Sequence, residues 1–424
     1  MATPRWTGNA RSVADLWTIT AGGTWEAGDL FLVTMGGKSY TYAATTTVIT
    51  DQLTLFVAAY NALDSAIYPE HVRFVAAKTS ATTVTLTEDT EGVPHTVTVT
   101  TTESDGGAAD LQTWTVANTT AATGPNFWDN ASNWDTGAIP IDADTVWIEN
   151  SNVDILYGIS QSAIELTALN IAGSYTGKIG LPRINADGYA EYRTRYLTID
   201  STTVNIGYGA GAGSSRINLS LPDLATTVNV YKTGAAIEDG VPPLLLLAAE
   251  ATAALNITKG NVGSAIFGTE TATWKTIKIG SETNPATDAT VWFGSGCTLN
   301  GAGSTYVQNG GNVRCDATLL TVTKNDGTLT LTGAAAATTI YNRGGQLIDE
   351  STGTFTSLYN SAYYLRRSQK AKTITTAYCY GEKFKLLDPN GVVVWTNATQ
   401  FIETRNVGGS FDWGVHKKIT IADI

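Results

Sequence analysis

The stretch NADGYAEYRTRYLTID (185–200) gathers the residue types that cleavage of a glycan needs. Asp187 and Glu191 could act as acid and base on either side of a glycosidic bond, and Tyr189, Tyr192 and Tyr196 offer flat faces for a sugar ring. Arg193 and Arg195, with Arg183 nearby, form a basic cluster beside them. The same residues equally describe a charged, aromatic-rimmed loop at a subunit contact, with its arginines on a solvated face. The expectation is therefore a protein that is not an enzyme, with no catalytic residue assigned.

The remaining chemistry-bearing residues have structural explanations. His71, His95 and His416 are scattered, and the first two fall in runs read as strands, so they are taken as strand histidines rather than parts of a Ser/His/Asp or Cys/His site. Asp129, Asp135, Asp142 and Asp144 lie close together in DNASNWD and DADTVWIEN and could present oxygens to Ca²⁺. The EF-hand spacing is absent, however, and Asx turns account for the same residues without an ion. KNDG (324–327) and GYGAGAGSS (207–215) lack the lysine and hydroxyl of a phosphate loop at the right offset and read as turns. Cys297, Cys315 and Cys379 are too few, and odd in number, for a disulfide framework. Cys297 and Cys315 lie 18 residues apart and are expected as small buried residues on neighbouring coils. No metal or cofactor is expected.

The elements that must position these residues are mostly short strands. Taking Val313, Leu329, Leu347 and Leu365 as equivalent gives spacings of 16, 18 and 18 residues, around the turns QNGGN, KNDGT, NRGGQ and NSAYY. From 161 to 370 the chain runs through segments such as LTALNIAG, TVNIGYG, TTVNVYK, AALNITK, TLTLTG and TSLYN, each with apolar residues at alternate positions and each ending at Gly, Asn, Ser or a charged turn. A spacing of 16 to 20 residues matches one turn of a parallel β-solenoid, and because the hexapeptide period of left-handed forms is not kept, a right-handed parallel β-helix of roughly ten coils is predicted. Asn309, Asn325, Asn342 and Asn360 fall four or five residues before the anchors, and Asn342 should stack on Asn360. The apolar run at 242–254 is left open between an inserted loop and a short helix.

Flanking units complete the predicted architecture, which is mainly β. Residues 1–124 read as an α+β module of order ββαβββ, with Thr50 capping its helix and Pro69 stopping it. Residues 125–160 carry Trp128, Trp134 and Trp147 among polar turn residues, as a cap over an open solenoid end requires. Residues 371–424 hold longer alternating runs and a DPNG turn, and are expected as a C-terminal β cap or oligomerisation unit.

Composition narrows the partners. Of 424 residues only 15% are charged, and the net charge is −12, so a nucleic-acid partner is not expected. No apolar run is long enough to span a bilayer, and MATPRWTGNARSVADLW has no signal-peptide core, so no membrane partner is expected and assembly in the cytoplasm is predicted.

At WTGNARSVADLW, at AGDLFLVTMGGKSYTYAA with TVTLTEDTEGVPHTVTV, and at NFWDNASNWDTGAIPIDADTVWIENS, the sequence resembles uncharacterised bacteriophage and prophage virion structural proteins with an N-terminal α+β module followed by a β-helix. The last of these segments is also similar to one that opens β-helical repeats in bacterial surface proteins. The resemblance implies a virion protein, either an accessory capsid (decoration) protein or a fibre-like component. Other virion proteins such as the major capsid protein would be its partners, and a homotrimer is expected because solenoid flanks with exposed Val, Tyr and Trp bury well around a threefold axis. A tailspike-like protein that binds or cleaves a host surface glycan, or a bacterial adhesin, is the alternative. The resemblance brings no catalytic residues with it.

Overall fold

The computed structural model describes residues 2–103, 112–286, 288–299, 301–368 and 370–380, and beyond these the strands Phe384–Leu386, Val393–Trp395, Gln400–Phe401 and Phe411–Asp412. His416, the DPNG turn and most of the expected C-terminal unit lie outside the described residues. The fold is mainly β, with one α-helix, α1 (Ile49–Tyr60), among the described residues.

The N-terminal module has two antiparallel sheets. One runs in the order Phe74–Lys78, Thr83–Glu88, Leu16–Gly22, Thr113–Thr120, and the other Lys38–Ala43, Leu30–Met35, Val97–Thr102. Two strands, LWTITAG and TWTVANTT, are added to the predicted ββαβββ order, because their Thr-rich alternation is diluted by Gly and Asn. Between the sheets Trp25 stacks on Phe31, Trp114 is edge-on to both, Phe56 is edge-on to Trp114 and Tyr60 is tilted against Phe56, so apolar α1 residues meet an aromatic core. Thr50 does not cap α1. The N-cap is Val48, which makes no side-chain cap, while Gln52 reaches back to the amides of Thr45 and Thr46. Nor does Pro69 end it. Asn61 stops the helix eight residues earlier, because its side-chain amide pairs with both backbone groups of Ala76 (2.8 and 2.9 Å) and ties the helix end to the sheet.

From Thr145 onward most strands join into one large parallel sheet whose pairings close on themselves, while Ala272–Thr273 and Cys297–Thr298 pair apart from it. One buried row runs through it from residue to paired residue: Val146, Leu169, Val204, Val228, Leu255, Ile277, Tyr306, Val322, Ile340, Leu358, Ala377. Every member is at most 2% exposed. Strand residues alternate between faces, so the next position in each strand points the other way. That second row reads Trp147, Asn170, Asn205, Asn229, Asn256, Lys278, Val307, Thr323, Tyr341, Tyr359, Tyr378. Its asparagines form a side-chain ladder (2.9, 3.0 and 3.0 Å between neighbours), and its tyrosines stack with ring centroids 4.9 Å apart.

The repeat holds in part. Steps along the buried row are 16 to 19 residues only from Tyr306 onward, whereas earlier steps are 22 to 35, because loops such as 173–196 leave the sheet between strands. Asn342 is paired with Asn360, and its amide donates to the Asn360 oxygen at 2.6 Å. Asn325 bonds Asn309, but Asn342 is opposite Lys324, so the ladder is broken there. Val313, Leu329 and Leu347 are equivalent, but Leu347 is opposite Tyr364, and Leu365 is one residue out of register. Leu244–Ala248, inside the unplaced 242–254 run, is a strand between Ile217–Leu221 and Gly260–Ser264. Both of its faces are largely buried, which is why it reads as an unbroken apolar run. KNDG likewise lies within the strand Leu319–Leu331, and Gly327 (φ +78°) bends it without leaving the sheet.

The two ends differ. Trp6, from the N-terminal segment, packs edge-on against Trp134, which packs against Trp128, while Trp6 N–H bonds the carbonyl of Trp147. Residues 5 and 6 thus join the Trp-rich segment rather than the α+β module. Beyond 371 the described strands pair in parallel with those before them, for example Tyr363–Arg366 with Phe384–Leu386.

Candidate functional site at the junction of the two units

The stretch that first looked catalytic lies in the longest excursion from the sheet, between Leu169 and Val204, and it docks onto the N-terminal module. Arg73 donates to both carboxylate oxygens of Asp187 at 2.8 and 2.9 Å. Asn185 accepts from the amides of Asp187 and Tyr189, an Asx turn that shapes the tip, and donates to Glu70 at 3.4 Å. The ammonium of Lys38 sits 4.8 Å from the Tyr189 ring centroid.

Glu191 and Arg193 form a bidentate pair at 2.9 Å, and Arg193 also reaches the carbonyl of Pro94 and lies over the rings of Tyr157 and Tyr192. Burial raises the Glu191 carboxyl, but hydrogen bonds and charge from Arg193 outweigh it and hold the group below its usual value. Arg195 lies over Tyr196 and Phe267, Arg183 also lies over Phe267, and Tyr196 donates to Glu270 at 2.5 Å. The two carboxylates are thus committed to guanidinium groups, and the rings to cations, within one chain. An acid–base pair needs a carboxyl held protonated near neutrality, and Glu191 is held the other way.

Behind this junction lies a second group of titratable residues. Asp15, Glu88 and His95 converge from three turns, and all three are buried. Burial pushes the Glu88 carboxyl up to about 8, with the charge of Asp15 adding to it, and pushes the His95 imidazole down to about 4, helped by Arg193. His95 borders a groove of about 400 Å³ with Tyr157, Gln161, Tyr192 and Arg193, yet its side chain is only 1% exposed and that of Glu88 is fully buried. A substrate in the groove would not reach either one.

The other candidates are placed apart. His71 and His95 are not in strands: His71 opens a short 3₁₀ turn, boxed by Tyr40, Tyr60 and Tyr68, and His95 precedes Val97–Thr102. The oxygens of Asp135, Asp142 and Asp144 accept from the backbone amides of Arg5, Glu165, and Ala2 with Ile141. Asp129 lines the groove beside Gly158, and burial raises its carboxyl. Cys297, Cys315 and Cys379 are free, buried thiols raised by that burial. Gly207, inside the strand Leu197–Tyr208, and Gly209, Gly211 and Gly213, in the segment beyond it, all take positive φ.

Sequence reasoning missed Glu70, Arg73, Asp15 and Glu88, since nothing local marks them. The only signal was excess charge on the loop that meets them. It also missed an open groove of about 490 Å³ on the sheet flank, where Arg314 lies over Trp292 beside Asn312, Thr328 and Thr330. The chain matches no protein-family profile, no curated protein and no solved structure. Among the described residues no helix is long and apolar enough to cross a membrane.

Proposed function

We propose that this chain is a structural virion protein, an accessory capsid (decoration) or fibre-like protein whose N-terminal module attaches to the particle and whose parallel sheet projects from it as a right-handed β-helix. The carrying observation is the pair of in-register rows from residue 146 to 378, clamped at one end to a separate module. Two features favour stacked coils over a simple barrel. Leu197–Tyr208 and Leu319–Leu331 each pair with three strands, where a barrel strand has two neighbours. A barrel of so many strands would also enclose a wide lumen, whereas the inward positions here are solid Leu, Ile and Val.

Such a body is stiff, and its asparagine and tyrosine rows stack on one another. That stiffness suits a projecting part of a particle. Its partners are then a homotrimer of itself and neighbouring virion proteins such as the major capsid protein. Mass spectrometry and gold-labelled antibody on purified particles test the reading. The chain should be present in repeated copies, and its absence from particles overturns the proposal. The Trp292 groove favours a second reading, glycan binding on the flank, which retention on immobilised host polysaccharide, lost in Trp292→Ala, would support.

A further inference from the structure

One group of side chains remains without an assigned purpose. Asp15 precedes Leu16–Gly22, Glu88 closes Thr83–Glu88 and His95 precedes Val97–Thr102, so three turns of the module meet at the face that receives the docking loop. One potential ligand atom from each lies within 4.8 Å of the other two. Asp15 is oriented by the amides of His95 and Ala122 and the side chain of Asn118, all at 2.9 Å; Oδ1 accepts two of these bonds and Oδ2 one, which leaves a lone pair on Oδ2. Glu88 is different. It is 4% exposed, His95 Nδ1 lies 3.5 Å from it, and apart from a weak contact with the backbone amide of Asp15 neither of its oxygens accepts a hydrogen bond from a described residue. A buried carboxyl so poorly partnered carries much of the cost of its lost hydration.

The surrounding charge points to what would satisfy it. The nearby cations are Arg73 and Arg193, and each is already neutralised by a bidentate carboxylate, Asp187 and Glu191. Asp15 and Glu88 therefore form a doubly acidic pocket with an imidazole at its edge. Oxygen cages for Ca²⁺ use six to eight oxygens, whereas an imidazole with two carboxylates is the donor set of Zn²⁺ or Mn²⁺.

We propose that Asp15, Glu88 and His95 bind one divalent transition-metal ion, with Zn²⁺ as the probe, which ties three turns of the module together behind the docking loop. The full chain, stripped with chelator and dialysed against Zn²⁺, should retain one ion, measured by elemental mass spectrometry, and its Tm should rise. Glu88→Gln and His95→Gln should abolish retention, while Asp135→Asn, at a residue committed to a backbone amide, should not. Because a buried substitution could unfold the module, X-ray absorption on the wild-type chain provides an independent readout. It should show a nitrogen and oxygen shell with imidazole scattering. Substoichiometric retention, retention unchanged in folded Glu88→Gln, or sulfur ligands from the cysteines would each overturn the site.

Discussion

Asn229 is an inner rung of the asparagine ladder, and its replacement is the most direct test of the register. Its amide donates to Asn205 at 3.0 Å and its oxygen accepts from Asn256 at 3.0 Å. Asn229→Ala removes both bonds, each worth about 1 kcal/mol net. The rungs are half-buried, so water partly satisfies the orphaned amides, and the expected loss is about 1–2 kcal/mol rather than the full cost of two buried unpaired groups. Asn229→Asp should cost more, because it puts an acceptor where the Asn205 oxygen needs a donor. The assay is denaturant unfolding followed by circular dichroism, extended to double mutants. Adjacent pairs, 205 with 229 and 229 with 256, should couple by about 1 kcal/mol, whereas 205 and 256, two strand spacings or roughly 9–10 Å apart, should be additive. Loss below about 0.3 kcal/mol, or coupling as strong between 205 and 256 as between neighbours, would refute the stacking argument.

Three further perturbations probe other parts of the fold. Gly345 has φ +64° and a Cβ there would come within 2.2 Å of the Gly327 carbonyl, so Gly345→Ala should cost about 2–4 kcal/mol, against about 1 kcal/mol for Gly37→Ala, where φ is +78° but the space is open. Comparison of the two melting temperatures checks this, and equal losses would contradict it. Trp134→Ala empties the centre of the Trp6–Trp134–Trp128 cluster and should cost about 3–5 kcal/mol, read as loss of protection from exchange at residues 128–148 first. Lys372 and Lys324 are buried and their ammonium groups are lowered to about 8 by that burial, so between pH 8 and their unfolded value the unfolded chain binds more protons. Stability should therefore rise with pH from 8 toward 9.5, by up to about 1.4 kcal/mol per unit for each lysine, before tyrosine ionisation opposes it. Lys372→Met should flatten that rise, and a wild-type Tm that falls through this window would show the sign to be wrong.

The legible parts of the fold were those set by local alternation. LNI, VNI, VNV and LNI at 169–171, 204–206, 228–230 and 255–257 already carry the buried row, the ladder and a second buried row. The period was blurred because the excursions between these strands differ in length, and only the close-set turns after 306 revealed it. Leu365 was misplaced since Tyr364 fills the interior position, its hydroxyl satisfied by buried Asp349 at 2.9 Å, and a tyrosine facing a core is not a local pattern. Thr50 and Pro69 were plausible helix signals overridden by Gln52 and Asn61, which bond residues outside the helix. The junction was legible only as a composition. Whether Asp187 and Glu191 would meet a sugar or an arginine depended on Arg73, 114 residues away, and on the sheet's turning Arg193 toward Tyr157. Asp15, Glu88 and His95 are spread over 80 residues and had no signal at all.

The claim that this is a stiff projecting part of a virus particle is tested most directly by electron cryomicroscopy of purified particles carrying the chain. The account predicts rod-like density with strands stacked about 4.8 Å apart along its axis, joined to the particle through the N-terminal module. Particles that lack the density, or a purified chain whose sheet resolves as a hollow barrel, would contradict it.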